Sequence, residues 1–447
     1  MVNLRILKGT QDKPVDESII QSKLLSIIRD TYERYGFNPL ETPILEFTDI
    51  LSSKYAGGAE ILKEIYTLKD NGDRNLALRY DLTVPLCRYI GMVGTRSLKL
   101  PFKRYEIGKV FRDGPVKVGR YREFIQCDVD VIDSKDLLHD AEICAIICEV
   151  LDNLGKDFYI EINNRKLLVG IIEDAGIDNE DLQSKIILSI DKLKKIGEEG
   201  VKNELIEKGI GPSTYDPIFE NIGVKKDTNQ DLLDYYEKNL KNPTAQEGIS
   251  ELRKILDYLE AMAIHKEIRF RPELARGLEI YTGTIFEAFF KDAEITSSVA
   301  AGGRYDKIIG KFLGKNKVVP AVGATIGIDV ILADIYNNLD QYSEIFKAKT
   351  CVQVLIIPIK IDVKKVIPVA AELRNNGINC EVFIKKKKAV SKGLSLADSE
   401  KIPISIIIGP TEIENDKYSV KNMITGKQIS TSLGNLSENI LKILNYN

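Results

Sequence analysis

FKRYEIGKVFRDGPVKVGRYREFIQCDVD, residues 102–130, decides the fold. In its first half Tyr105, Ile107 and Phe111 fall on one side of an alternating pattern, and Arg104, Glu106 and Arg112 on the other. Asp113-Gly114-Pro115 and Gly119 then supply turn chemistry. Alternation resumes beyond them. Tyr121, Ile125, Cys127, Val129 and Val131 share one face, and Arg120, Arg122, Gln126, Asp128 and Asp130 the opposite one. A period of two predicts a pair of strands closed into a hairpin. The polar face of such a hairpin ordinarily meets water. This face instead gathers arginines and carboxylates with few Lys, Ser or Thr, which suits a zwitterionic ligand carrying phosphate.

The rest of the chain bounds that reading. Its 447 residues allow two to four domains. A hydrophobic content of 44% with 29% charged residues predicts a soluble protein with a sizeable core. No apolar run reaches membrane-spanning length, and the opening MVNLRILKGTQDKP lacks the apolar region of a secretory signal. Six cysteines show no zinc-type or CxxC spacing, and Cys144 and Cys148 sit in an apolar helical pattern. A reducing cytoplasm follows as the expected compartment. Two histidines, His139 and His265, argue against a His-rich metal site and leave little room for Ser-His-Asp chemistry. Net charge is -3, but residues 351–447 carry 14 Lys and Arg against 9 Asp and Glu. A basic tail on an acidic body predicts a local polyanion contact. The plainer alternative, above all for the run Lys385–Lys388, is a solvated lysine surface.

In chain order, residues 17–35 read as an amphipathic helix with Ile20, Leu24, Ile27 and Ile28 on one side. FNPLETPILEF follows as an extended segment whose Pro39 and Pro43 suggest an edge, a bulge or an interface. Residues 65–68 and 76–79 predict strands around Asn71-Gly72-Asp73. LRYDLTVPLCRYI carries Arg79, Asp81 and Thr83 into a helix, where Asp81 or Thr83 could simply cap the N-terminus. Residues 137–153 predict a helix, 157–162 a strand, and NNRKLLVGIIEDAG another helix. From about 176 to 258 the composition turns to Lys, Glu, Asp and Asn in helical patterns. RFRPELARGLEIYTGTIFEAFF and TSSVAAGGRYDKIIGKF resume the core. The last hundred residues alternate strands and helices, which predicts a small α/β domain with a largely parallel sheet.

Five blocks together resemble histidyl-tRNA synthetase, a class II aminoacyl-tRNA synthetase family: GFNPLETPILE, LRYDLTVP, FKRYEIGKVFRDGPVKVGRYREFIQCDVDV, RPELARGLEIYTGTIFE and AAGGRYD. Each is weak to moderate alone. Their order, with a helical stretch before the fourth and an α/β domain after the last, is specific. The resemblance covers nearly the whole chain. It implies an α+β catalytic domain with a mostly antiparallel sheet flanked by helices, a helical insertion and a C-terminal α/β anticodon-binding-type domain. The expected boundaries are 1–345 for the catalytic core, interrupted at 176–258, and 350–447 for the terminal domain.

The implied activity is histidine–tRNA ligation. L-histidine is activated with ATP and transferred to tRNA(His), with ATP as a substrate, Mg2+ expected, and no organic cofactor. The implied assembly is a cytoplasmic homodimer, its interface formed by the first block, with no DNA or membrane partner. Adenylation brings a carboxylate to the α-phosphate, so fixed cations are the remedy. Arg112 matches the arginine that binds the α-phosphate and substrate carboxylate, and Arg276 the histidine-specific arginine that also engages the α-phosphate. Both are the expected catalytic and ATP-binding residues. Magnesium would clamp the outer phosphates; no protein ligand for it is assigned. The attacking carboxylate is already ionised at neutral pH, so no general base is required. The resemblance places the α-ammonium on Asp81 and Thr83, with Leu82 between them among the histidine-binding positions. Gln126 matches a further substrate position, Asp130 the imidazole-binding carboxylate, and Tyr281, next to Ile280, its partner tyrosine on the histidine-specific block. The alternative for Asp130 is a salt bridge with Arg120 or Arg122.

Two positions depart from the family pattern. Val330 stands where an arginine usually contacts ATP, so another cation serves ATP or adenylation is impaired. Ile280 stands where an aromatic residue is common. The main rival reading is a non-catalytic relative, the regulatory subunit of ATP phosphoribosyltransferase, which generally lacks the terminal domain and an intact RGLEIY-type block. A third reading is a module that senses uncharged tRNA, although no kinase segment accompanies it.

Overall fold

The computed structural model describes residues 2–52, 62–277, 280–291, 293–314, 317–343, 346–384 and 388–445. Contact density divides the chain into two compact units. One comprises 1–11 with 25–342, the other 12–24 with 343–447.

The first unit is built on a sheet of eight strands. Its members along the chain are β1 (Asn38–Pro39), then, after β2 (Leu45–Phe47), β3 (Thr67–Lys69) and β4 (Asn75–Leu78) of a separate sheet, β5 (Phe102–Phe111), β6 (Glu123–Ile132), β7 (Phe158–Asn164), β8 (Glu267–Phe270), β9 (Thr284–Phe290), β10 (Ala300–Arg304) and β11 (Ala321–Gly327). The spatial order is β1-β5-β6-β11-β10-β9-β7-β8. Only the edge strands β1 and β8 pair in parallel; every pair between them is antiparallel. Pro39 sits on the edge, where its missing N–H breaks no ladder. The opening stretch is the hairpin β5–β6, with Arg104 opposite Asp130, Glu106 opposite Asp128 and Gly108 opposite Gln126. β2, β4 and β3 form the small second sheet.

Helices follow from local chemistry. Thr83–Val93 is capped by Leu82, and one residue earlier the Asp81 carboxylate accepts the Val84 N–H at 3.1 Å. Arg165–Asp174 starts on Asn164, whose side chain accepts from Lys166 N–H. Leu138–Asp152 buries Ile143, Cys144, Ile147 and Cys148, so this cysteine pair is core. Between 180 and 261 run five helices: Glu180–Ile190, Leu193–Glu207, Pro212–Ile222, Asn229–Asn239 and Pro243–Ala261. The last of them packs on Arg165–Asp174, where Lys166 pairs with Glu247 and Glu251. Among the described residues no helix is long and apolar enough to cross a membrane.

The second unit carries β12 (Val354–Pro358), β13 (Cys380–Val382), β14 (Ile404–Ile408), β15 (Tyr418–Asn422) and β16 (Gln428–Thr431), in the order β13-β12-β14-β15-β16. Val354, Ile356, Ile404, Ile406 and Val420 pack with Val369, Leu373, Leu436 and Ile440 on one face. Leu355 and Ile357 pack with Phe383, Ala397 and Ile402 on the other. The sheet is more mixed than the alternating pattern predicts. β12 is parallel to β13 and β14, but β14–β15 and β15–β16 are antiparallel. The reason is connection length. A parallel return needs a crossover of about a dozen or more residues, whereas 409–417 hold only the short helix Pro410–Glu414 and 423–427 only a turn.

Candidate active site

Through its strand-paired part the polar face of the hairpin is withdrawn from water. Arg104, Glu106, Asp128 and Asp130 are all buried. At its Glu106 end the charges close on one another. Arg79 Nη1 lies 2.8 Å from Glu106 Oε1 and also donates to the Thr42 carbonyl at 2.7 Å. Arg79 Nε donates to the Lys109 carbonyl at 2.9 Å. The Thr42 N–H and hydroxyl donate to the same carboxylate at 3.0 and 2.8 Å. The chain leaves room for this guanidinium at Gly108, where a Cβ would stand 2.2 Å from Arg79 Nη2.

Beside this knot opens a cavity of about 380 Å³. Gln126, Asp128 and Asp130 of β6 line one wall. Asp81 and Thr83 arrive from the start of the helix Thr83–Val93, and Arg112 from just past β5. Arg276, Ile280 and Tyr281 come from the segment before β9, and Tyr305 from the end of β10. Gly302 and Gly323 form part of the floor; a Cβ at Gly323 would stand 2.1 Å from Asp130 Oδ1, so the carboxylate lies where only glycine fits.

Each charged wall residue has a distinct setting. Asp130 pairs with the fully buried Arg104 at 2.9 Å and accepts a hydrogen bond from the Tyr305 hydroxyl. Its carboxyl is pushed up by burial and pulled back by Arg104 and Tyr305. Asp81 is pushed up to about 6 by burial, against the Val84 N–H and the Arg112 charge. Arg112 donates to the Tyr80 carbonyl at 2.9 Å and stacks over Phe124. Burial lowers its pKa and Asp81 opposes that shift. Arg276 lies over the Tyr281 ring and 3.6 Å from Glu287. Buried polar atoms without a hydrogen-bond partner cluster here: Gln126 Oε1, Asp128 Oδ1, Arg276 Nη1 and Thr325 Oγ1. Buried polar groups are normally paired, so such a cluster is the mark of a place for a ligand.

Of the residues assigned from sequence, Asp81, Thr83, Arg112, Gln126, Asp130, Arg276, Ile280 and Tyr281 line this one cavity. Leu82 does not; its side chain is buried behind the wall and its carbonyl accepts from Arg104 at 3.3 Å. The sequence alternative for Asp130 named the wrong arginines. Arg122 pairs with Asp113 at 2.9 Å and Arg120 lies 3.8 Å from Glu64, both out in the turn, while the partner is Arg104 directly across the hairpin. Sequence reasoning gave no site role to Arg104, Asp128 or Tyr305. The first two stood on the polar face and the third in AAGGRYD, so the signal was present, but cross-strand register was needed to read it. Val330 is not among the lining residues; its Cα backs onto Gly119, where a Cβ would stand 3.3 Å away.

The family model for histidyl-tRNA synthetase matches residues 9–331, and that for an anticodon-binding domain matches 353–443. Histidine–tRNA ligase 1 of Bacillus cereus is 42% identical over 439 residues, covering 98% of this chain and 99% of that one. The crystal structure of histidyl-tRNA synthetase from Nostoc superposes with a TM-score of 0.85 at 31% identity, covering 99% of this chain and all of the other. A protein from Bacillus halodurans described as an ATP phosphoribosyltransferase regulatory subunit/histidyl-tRNA synthetase superposes at 0.71 with 16% identity, covering 92% of this chain and 98% of that one; it shares the fold. The antiparallel sheet with its arginine-bearing pocket, followed by an anticodon-binding domain, defines a class II aminoacyl-tRNA ligase. Within that class, the chain belongs to the histidyl-tRNA synthetase family.

Proposed function

We propose that this chain activates L-histidine with ATP to histidyl-adenylate and transfers it to tRNA(His), releasing diphosphate and AMP. One observation carries the reading: residues from 81–83, 112–130 and 276–281 converge on a single cavity of amino-acid size with unpaired polar atoms. Two guanidiniums, Arg112 and Arg276, are the groups that let two anions meet. Preorganised cations lose little reorganisation energy as charge develops between carboxylate and α-phosphate. Asp81 and Thr83 hold the α-ammonium, Gln126 assists, and Asp130 accepts from the ring. Mg2+ enters with the triphosphate. It prefers oxygen ligands, which the ATP phosphates supply.

The catalytic core is assigned to 1–345, interrupted at 176–258, and the anticodon-binding domain to 350–447. A cytoplasmic homodimer is part of the same reading, supported by the exposed apolar side chains of Ile44, Leu45 and Phe47 in the segment after β1. The test is histidine-dependent ATP–pyrophosphate exchange followed by charging of transcribed tRNA(His). Folded protein that supports neither reaction would sink the ligase reading in favour of the regulatory one.

A further inference from the structure

Arg276 lies between β8 and β9, outside either strand. A long side chain on such a segment has much rotamer freedom to lose, and a cation acts on a developing charge only where it is preorganised. Its contact with the sheet is loose: Nη1 lies 3.6 Å from Glu287 Oε1 and has no hydrogen-bond partner. Glu287 stands opposite Glu161 of β7. Glu161 is occupied by Lys194, from the first turn of the helix Leu193–Glu207, which also lies over the Phe289 ring. Asp191, which closes the preceding helix Glu180–Ile190, reaches the arginine's own segment. Its carboxylate accepts from the Gly277 N–H, and a Cβ on Gly277 would stand 2.8 Å from Asp191 Oδ2. Burial pushes this carboxyl up, and the Arg276 charge is the strongest pull against that shift, ahead of Lys195. A carboxylate at a helix C-terminus opposes the helix dipole, so the helix itself does not account for an aspartate here.

We propose that Asp191 is a positioning residue for the adenylation step: by holding the Gly277 N–H and placing a negative charge beside the adjacent guanidinium, it fixes the aim of Arg276 at the α-phosphate. The inference rests on the histidine-activating reading. Arg276 then has two anchors on different elements, Glu287 from the sheet and Asp191 from the helix Glu180–Ile190. Lys194 neutralises Glu161, so the guanidinium answers to two carboxylates rather than three. Asp191 is not among the residues that line the cavity, and it acts through Arg276 rather than on the substrate. Displacing a preorganised group by about 1 Å costs on the order of a hundredfold in rate. A shift of the helix Glu180–Ile190 would therefore change the rate of adenylation without altering the cavity wall.

The test is a double-mutant cycle in histidine-dependent ATP–pyrophosphate exchange, with wild type, Asp191→Ala, Arg276→Ala and the double variant. Asp191→Ala is expected to lower kcat by about tenfold to a hundredfold and to leave the histidine KM within about threefold, since the ammonium and ring contacts are untouched. Asp191→Asn keeps an acceptor for the Gly277 N–H and loses the charge, so it is expected to recover part of that loss. Residues that act through one another are not additive, and the double variant is expected to stay within about twofold of Arg276→Ala alone. A kcat loss under about threefold in Asp191→Ala overturns the proposal. So does a loss that multiplies with that of Arg276→Ala, which would make Asp191 a general support of the fold. If Asp191→Ala fails to fold, Asp191→Asn is carried through the same cycle under the same two criteria. Folded wild type without exchange instead overturns the functional reading, and this inference with it.

Discussion

One hairpin face carries two regions with opposite hydrogen-bond accounts. Around Glu106 the carboxylate is enclosed by Arg79, Thr42 N–H and the Thr42 hydroxyl. A few residues along the same face, Gln126 and Asp128 carry side-chain oxygens without a hydrogen-bond partner beside the cavity. Both regions are buried and both are built from the same residue types. What separates architecture from site is therefore partner count, since buried polar groups are otherwise satisfied. The paired region is expected to govern stability, and the unpaired one ligand binding and rate.

The sharpest way to break this comparison is to cut the paired region. Glu106→Ala leaves Arg79 buried without its counter-charge and strips Thr42 of its acceptor. Removing one partner of a buried pair costs about 3–5 kcal/mol, and urea unfolding of the variant is expected to show a loss of that size. A loss under about 1 kcal/mol would mean that the knot is not structural. The converse cut is Arg276→Ala. One preorganised charge contact is worth roughly two to three orders of magnitude in rate, about 2.7–4 kcal/mol, and histidine-dependent ATP–pyrophosphate exchange is expected to fall by that factor. A change under threefold would remove Arg276 from the chemistry.

Much of this division was legible in the chain, and its limits have a physical cause. Alternation over 102–130 placed Arg104, Glu106, Gln126, Asp128 and Asp130 on one face. The ordered blocks then led to eight residues that share the cavity. Alternation assigns a face but not a register. Only pairing shows that Arg104 stands opposite Asp130, and so that Arg120 and Arg122 are elsewhere. Nor does a local pattern reveal that Arg79, two residues before Asp81, turns back across Gly108 to become architecture while Asp81 reaches the cavity. In the second unit, the parallel half was visible as apolar runs alternating with helices. The antiparallel return depended on short connections that carry little hydrophobic signal.

A smaller effect sharpens the comparison through pH. Asp81 belongs to the unpaired region in that burial raises its carboxyl to about 6, while the Val84 N–H, Arg112 and Arg104 resist the shift. In the ligand-free protein this carboxyl contributes stability below the ordinary carboxylate range, and that contribution is lost as pH rises through about 6. Binding an α-ammonium requires the ionised form, so the sign reverses for the ligand. Histidine KM is expected to rise as pH falls below about 6, towards tenfold per pH unit. Free histidine titrates nearby, so the informative curve is wild type relative to Asp81→Asn, which shares the ring's titration and lacks the carboxyl's. Parallel curves would remove Asp81 from ammonium binding.

The smallest expected effect concerns the lysine run of the second unit. Residues 385–387 lie outside the described residues, while Lys388 is exposed and precedes the helix Ala389–Ser399 with a left-handed φ of 55°. Exposed lysines contribute little to stability, so their excess in the second unit has to be explained by a partner or left as solubility. Phosphate contacts release counterions, and each one adds about 0.7–0.9 to the slope of log affinity against log salt. Changing Lys385–Lys388 to glutamine is expected to weaken tRNA(His) binding severalfold at low salt and to flatten that slope by about one to three contacts' worth. Histidine-dependent exchange, which needs no tRNA, is expected to stay within twofold. An unchanged slope would return the four lysines to a solvated surface. A drop in exchange would show that they act on the buried face rather than on RNA, and would blur the separation of exposed from enclosed charge.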